Sequence, residues 1–378
     1  IKELRMKFTV KKSVILNVLS KVQGLAGRKT NLAITTNVLI VANDSGIVLR
    51  ATDLETGYEG CFPAEVANEG TIAINARKLF EIVRDFPSDD IHITEVENHW
   101  IEIGNKNVEY HLVGMNPEDF PDIPQFEDVQ YFEVETAGLD RMIERTVYIS
   151  GAPDDKRAHI IGLFLETLQE DDRKVLRFVS TDGSRLAKAD YFYNTDVELP
   201  AVEGLLVPKK GLYEVGKFID PTGSVKVGIK DNNLVIKMEN EIIIIRLLEG
   251  EFPQYADIIQ KNSESITMSF DRQLFLMMLK RMSILSTEDY KSVIFNFVND
   301  KLIITSTNPD IGESKEDMAI EFSSDPIEAA FNPRYFIEAL NVFDSEKILL
   351  DIVNDENPCV LAGEEDQGFI TVIMPMRI

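Results

Sequence analysis

Three similar two-layer α+β domains are the fold class this sequence predicts, and three observations predict it. Short strand-like runs lead into helical windows at near-constant intervals, a second helical window recurs in each interval, and alternating apolar–polar runs fill the spaces between helices. The length of 378 residues is too great for one ordinary core and fits two or three domains. A doubly wound α/β fold is disfavoured, because the strands come in meanders and do not alternate singly with helices.

The first helical windows align without gaps. Phe8-Thr9-Val10 leads into Lys11–Gly24, Phe132-Glu133-Val134 into Glu135–Ser150, and Met268-Ser269-Phe270 into Asp271–Ser286. Ile15, Leu139 and Phe275 coincide, as do Leu19, Ile143 and Leu279, with the four-residue spacing of a buried helical stripe. Lys21, Arg145 and Arg281 coincide as a recurring base. The second windows begin at Asn75, Pro208 and Asn332; Asn75 and Asn332 suit an N-cap, and Pro208 and Pro333 suit the opening of a helix. Their third positions are basic (Arg77, Lys210, Arg334), their fifth apolar (Leu79, Leu212, Phe336) and their seventh glutamate (Glu81, Glu214, Glu338). Between helices, Ile91–Val96 and Lys301–Ser306 alternate as strands do. Thr52-Asp53, Thr181-Asp182 and Thr307-Asn308 form a third recurring marker, in a turn-like setting where the side chain caps backbone N–H groups. Phe120-Pro-Asp-Ile-Pro and Phe252-Pro-Gln-Tyr close two units, which sets domains at 6–128, 129–260 and 261–378.

Charge is sorted along the chain. The formal net charge is −25, which ordinarily argues against a nucleic-acid partner. Yet the six helical windows together are net basic, while the remaining strands and loops are strongly acidic. Arg77 and Arg84 are seven apart on one face, and Lys210 and Lys217 repeat that spacing. Solvation of outer helix faces gives no reason for such sorting. A surface that meets phosphates while the rest of the molecule repels them does, and it would bind duplex without reading sequence. Twelve helices from a head-to-tail pair, side by side at ~10 Å, give an axis-to-axis diameter of about 38 Å; after side chains, about 28 Å remains for a duplex of roughly 20 Å. Six helices from one chain close to only about 19 Å at that spacing, so encirclement demands a dimer and sheets with no free edge outside it.

Catalytic and metal chemistry finds no footing. Gly24-Leu-Ala-Gly-Arg-Lys-Thr30 lacks the glycine before lysine and the spacing of a phosphate-binding loop. His92, His99, His111 and His159 form no zinc motif. Asp53 and Asp182 have Asn308 as their third counterpart, which keeps hydrogen bonding but not acid chemistry. Glu364-Glu365-Asp366 reads as a solvated loop, and Cys61 and Cys359 have no basic partner nearby in sequence. No catalytic residue, metal or cofactor is expected, and no apolar run approaches the ~20 residues of a membrane span.

The opening Met6-Lys-Phe-Thr-Val, the central Ser180-Thr-Asp-Gly-Ser-Arg-Leu-Ala187, Phe252-Pro-Gln-Tyr255 and the closing Val372-Ile-Met-Pro-Met-Arg-Ile378 resemble the bacterial DNA polymerase III β-subunit family, the sliding clamps. The resemblance runs from Met6 to Ile378, with residues 1–5 reading as an extension. It implies the DNA clamp fold, with helices lining a ring and curved antiparallel sheets outside, as a homodimer encircling double-stranded DNA. Implied partners are the replicative DNA polymerase, a clamp-loader ATPase complex, and other polymerases and repair proteins carrying short hydrophobic peptides, in the bacterial cytoplasm and at the nucleoid. Residue by residue, the family's peptide pocket falls on Ile160, Thr181, Gly183, Arg185, Leu186, Pro253 and Ile258, with Asn332, Tyr335, Val372, Met374, Pro375, Met376 and Arg377. Position 184 is Ser where several relatives carry His. Candidates to face DNA are Lys21, Arg28, Lys29, Arg77, Arg84, Arg145, Arg157, Lys210, Lys217, Arg281 and Arg334. The subunit contact falls on Tyr110 and Leu112 on one side, and Ile284 and Leu285 on the other. A rival reading, a scaffold with the same pocket that never encircles DNA, predicts that neutralising Arg77 and Lys210 changes nothing.

Overall fold

A computed structural model describes residues 5–26, 32–151, 155–170, 172–193, 198–260, 262–287 and 290–377. The helices in order are α1 (Lys12–Ala26), α2 (Ala76–Asp85), α3 (Thr136–Val147), α4 (Ala158–Ile161), α5 (Lys209–Phe218), α6 (Ala256–Ile259), α7 (Arg272–Met282) and α8 (Pro333–Val342). The six longer ones fall on the six windows expected from the repeat. Asn75 accepts the Lys78 N–H and Asn332 accepts the Arg334 N–H, so both caps form as anticipated. Asp271 caps α7 in the same way through the Leu274 N–H. Pro333 opens α8, whereas Pro208 ends a strand and α5 begins one residue later.

The described chain divides into two compact units, one from the chain up to Ala137 with Lys210–Leu247, the other from Gly138–Lys209 with Leu248 onward. In the first unit, a five-stranded sheet runs Glu65–Asn68, Lys7–Lys11, Asp90–Glu95, Trp100–Gly104, Glu109–Val113. An eight-stranded sheet joins strands of the first third of the chain to strands of the middle third where Thr56–Phe62 pairs with Glu241–Arg246, Tyr58 opposite Ile243. Helices α1 and α2 lie against each other, with Ile15, Leu19, Val22, Leu79 and Val83 buried.

The second unit repeats the plan. Its eight-stranded sheet joins the middle and last thirds where Arg185–Tyr193 pairs with Ile370–Ile373, Leu186 opposite Val372. A four-stranded sheet runs Gly312–Ala319, Lys301–Asn308, Val293–Val298, Ile327–Phe331. Phe275 of α7 and Phe336 of α8, both recurring apolar positions, meet edge-on at 6.1 Å beside Phe295. Among the described residues all strand pairings are antiparallel, and helices on sheets make the two-layer α+β arrangement. The sheets run through the expected domain boundaries, because edge strands of neighbouring repeats pair and so satisfy backbone groups that would otherwise be open.

Candidate functional site

Every residue expected to wall a peptide pocket belongs to the second unit. Thr181, Gly183, Arg185 and Leu186 surround the turn between Arg173–Thr181 and Arg185–Tyr193. The Thr181 hydroxyl donates to the Arg185 carbonyl at 2.8 Å and accepts the Gly183 N–H at 3.0 Å, while Asp182 accepts the N–H groups of Ser184 and Arg185 at 2.9 and 3.1 Å. Gly183 sits at φ +91° with open space where a Cβ would stand, so glycine serves backbone conformation there. Asp53 accepts the Glu55 and Thr56 N–H groups in the matching turn, and Asn308 accepts the Asp310 N–H. The recurring markers are therefore turn caps.

Beneath the turn lies an apolar floor. Val179, Leu186, Tyr255 and Val372 are buried together, and Phe164, Phe252, Ile259 and Val360 pack on them while keeping some exposure. The Phe164 and Phe252 rings stack at 5.0 Å. Ile258 and Met374 are each 39% exposed, which is where an incoming apolar side chain would find contact area. Pro253 is exposed beside them. The Met374 N–H donates to the Ser184 carbonyl at 2.9 Å and the Met376 N–H to the Ala330 carbonyl at 2.7 Å, pinning the last segment to both sheets of the unit. Ile160 is wholly buried and backs the wall without lining it.

Arg185 is buried too. Its guanidinium lies 4.4 Å from the Tyr335 ring and pairs with Asp182 at 3.0 Å and Glu338 at 2.6 Å, so it stiffens the wall and offers no free charge. Sequence reasoning missed Lys209, whose buried ammonium donates to the carbonyls of Ile160 at 2.7 Å and Thr181 at 3.2 Å. Burial, opposed by Asp182 and reinforced by Arg185, pulls its pKa down to about 8. No repeat signal could have found it, since its counterparts are Ala76 and Pro333.

Two cavities flank the loop 353–358. One, of about 280 Å³, takes in Ile258, Val360, Pro358, Asp257 and Asp351; the other, of about 680 Å³, takes in Met374, Pro375, Met376 and Arg377 with Glu328, Asp355 and Glu356.

The bases picked out for DNA divide into two groups. Lys21, Arg145 and Arg281, which coincide in the repeat, each pair with a carboxylate on another element: Lys21 with Glu241 at 3.8 Å, Arg145 with Asp366, and Arg281 with Glu316 at 2.9 Å. Arg145 is buried, with its guanidinium 4.9 Å from the Phe369 ring, and Lys21 keeps only 16% of its side chain exposed. For these two, a surface role is corrected to an internal ion pair. Asp366 is corrected with them: its buried carboxylate accepts the Ser345 hydroxyl at 2.6 Å and the Ser345 N–H at 3.0 Å, so it is no solvated loop residue. Arg77, Arg84, Arg157 and Arg281 are exposed but paired with Glu81, Asp85, Asp155 and Glu316. Lys210 pairs with Asp53 at 2.6 Å, and Lys217 with Glu214 at 2.7 Å, each half-exposed. Arg334 is exposed and makes no ion pair among the described residues; Lys280, which the repeat did not single out, is in the same position. Arg28 and Lys29 lie outside the described residues.

The two sides of the expected subunit contact fall on sheet edges or beside them. In the first unit Glu109–Val113 pairs, among the described residues, only with Trp100–Gly104; Tyr110 is 42% and Val113 63% exposed, and Leu112 is half-buried. On the face of that hairpin opposite Tyr110 and Leu112, Glu102, Glu109 and His111 bring ligand atoms within 4.8 Å of one another, a grouping that cross-strand register creates. In the second unit Gly312–Ala319 is an edge, and Ile284 is 74% exposed beside half-buried Leu285. Leu274 and Met277 on α7, at 64% and 50%, continue an apolar helical stripe toward Ile284 that sequence reasoning passed over.

Comparison with known proteins is uniform. The family profile for the DNA polymerase III beta subunit N-terminal domain matches residues 6–124, that for the central domain 133–254, and that for the C-terminal domain 257–377. The beta sliding clamp of Pseudomonas putida is 29% identical over 378 residues, covering 99% of this chain and 100% of the relative, and that of Chlamydia pneumoniae is 27% identical over 373 residues, covering 99% of each. A DNA polymerase III beta subunit structure from Eubacterium rectale superposes with a TM-score of 0.89 at 28% identity, covering 99% of this chain and 100% of that one. The Pseudomonas aeruginosa subunit gives 0.89 at 26% with the same coverage.

Proposed function

The chain belongs to the DNA polymerase III beta-subunit family, and on that premise we propose how its residues do the work of a clamp. It is a processivity clamp for DNA polymerase III, acts by tethering and is not an enzyme. The observation that carries this is the succession of three domain matches along nearly the whole chain.

The finer reading is a head-to-tail homodimer with three domains per chain, at 6–128, 129–260 and 261–378, closed around duplex DNA in the bacterial cytoplasm. The exposed edge strands Glu109–Val113 and Gly312–Ala319 support it: pairing one with the other's copy in the second subunit would leave no open edge there. Tyr110 and Leu112 would meet Ile284 and Leu285. Arg77, Arg84, Arg157, Lys210, Lys217, Arg281 and Arg334, with Arg28 and Lys29, would face phosphates. Because most of the described ones already hold a carboxylate, their grip on DNA is loose, and retention comes from closure of the ring. The clamp loader, the replicative polymerase and other polymerases and repair proteins would dock hydrophobic peptides on the floor of Leu186 and Val372, against Met374 and Ile258. The terminal segment's exposed methionine and pinned backbone support that use.

The test is primer extension on a long template with DNA polymerase III, a loader and ATP. The clamp should lengthen products, and Met374→Glu, which puts a charge on an exposed pocket residue, should weaken tethering about 10–100-fold, the worth of one apolar anchor of ~1.5–3 kcal/mol. Product lengths indifferent to the clamp would contradict the function; lengths indifferent only to Met374→Glu would contradict the pocket.

A further inference from the structure

We infer that Lys209 is a positioning residue for peptide binding: by tying the end of α4 to the Thr181 turn, its buried ammonium holds the pocket wall in the shape that accepts a hydrophobic peptide. The inference rests on the peptide-pocket reading above and adds a residue that acts from behind the wall. Lys209 opens α5 and is 6% exposed. Its Nζ donates to the Ile160 carbonyl at 2.7 Å and to the Thr181 carbonyl at 3.2 Å. The two acceptors belong to different elements, α4 and the strand Arg173–Thr181, so one cation joins two pieces of the wall. Ile160 lies in the last turn of α4, where carbonyls lack an intrahelical partner, and it is wholly buried, so Lys209 meets a need that water cannot.

Thr181 passes that tie on to the rim. Its hydroxyl holds the Arg185 carbonyl and the Gly183 N–H, and the Ser184 carbonyl of the same turn takes the Met374 N–H. A shift of the Thr181 backbone therefore reaches Gly183, Ser184 and the Met374 segment. Among the described residues Lys209 makes no ion pair, and burial without one is what pulls its pKa down to about 8. The charges that act on it are Asp182 and Arg185 of the turn, themselves paired at 3.0 Å, with Glu338 of α8 on Arg185 in turn. Of the other elements around it, α4 carries His159, the strand Leu205–Pro208 carries no titratable side chain, and Lys210 on its own helix is taken up by Asp53. The ammonium brings three protons and a full charge to its two carbonyls; the neutral amine brings two protons and no charge, and holds them less firmly. Losing the proton should loosen the wall, and a peptide that binds only the closed wall loses affinity in proportion to the closed fraction.

The full-length chain would be titrated, by fluorescence anisotropy, with a labelled ten-residue peptide carrying Leu and Phe anchors among Gln and Ser, its ends blocked so that the peptide itself does not titrate. Wild-type affinity should fall about tenfold between about pH 7 and about pH 9.5, as the closed fraction drops to about a tenth. Lys209→Met should bind about tenfold more weakly at about pH 7 and give a flat profile, which also sets the baseline for every other titrating group, His159 included. Lys209→Arg, charged throughout this range, should recover the affinity and keep it at about pH 9.5. Circular dichroism would check that each variant is folded; if Lys209→Met is not, the wild-type and Lys209→Arg profiles decide alone. A flat wild-type profile, or a fall that persists in either variant, would overturn the inference and leave the pocket standing. Failure of the wild type to bind the peptide at about pH 7 would overturn the pocket reading and the inference together.

Discussion

Replacing Ile284 by glutamate should convert the proposed dimer to monomers while each chain stays folded. Ile284 is 74% exposed in the single chain, so the new carboxylate costs little there. In the closed dimer the same residue would be covered by Tyr110 and Leu112 of the second subunit, and an unpaired carboxylate buried among apolar side chains costs several kcal/mol. Two-fold symmetry puts the lesion in both interfaces, so association should weaken at least about 100-fold. Sedimentation at micromolar concentration should show the mass falling from a dimer to the 42.7 kDa chain. Retention on circular DNA should vanish with it. A variant that sediments as the wild type would place the subunit contact elsewhere.

Replacing Asp366 by alanine should lower the unfolding free energy by about 3–5 kcal/mol, the cost of leaving one member of a buried ion pair alone. Asp366 holds Arg145 of α3, receives both the hydroxyl and the N–H of Ser345, and takes the Asp344 N–H at 3.2 Å. All of these lie in the second unit, so its denaturant midpoint should move. The pH dependence has a definite sign. Burial alone would raise the Asp366 pKa, but the Ser345 and Asp344 hydrogen bonds and Arg145 outweigh it and hold it below 3.8. A depressed carboxylate stabilises the fold fully above its unfolded pKa and loses that contribution as pH falls through its folded value. The gap between wild type and Asp366→Ala should therefore close in acid below pH 3.8. A gap that stays constant with pH would mean that Asp366 contributes by packing and not as a charge.

What sequence made legible was whatever depends on local chemistry repeated three times. The caps at Asn75 and Asn332, the apolar stripe of Ile15 and Leu19 with its counterparts, and the turn-capping Asp53, Asp182 and Asn308 need only neighbours a few residues away. Charges were legible as a pattern, and at Lys21 and Arg145 a largely buried ion pair was mistaken for a surface role. Lys21, Arg145 and Arg281 recur because each holds an acid from a distant strand or loop; Arg145 and Asp366 are 221 residues apart. Sheet continuity was invisible for the same reason. Tyr58 opposite Ile243 and Leu186 opposite Val372 are register facts between repeats, and single-repeat periodicity carries no trace of them. The expected pocket residues came from the family resemblance and not from the repeat pattern.

The central claim is that the clamp holds DNA by topology. The most direct measurement loads the clamp onto nicked circular DNA with a loader and ATP, then cuts the circle with a restriction enzyme and follows what stays bound. Retention on the circle with rapid loss after cutting is the predicted result, since a ring whose bases are mostly paired should slide off an open end. Retention unchanged by cutting would show ordinary phosphate binding and contradict the account.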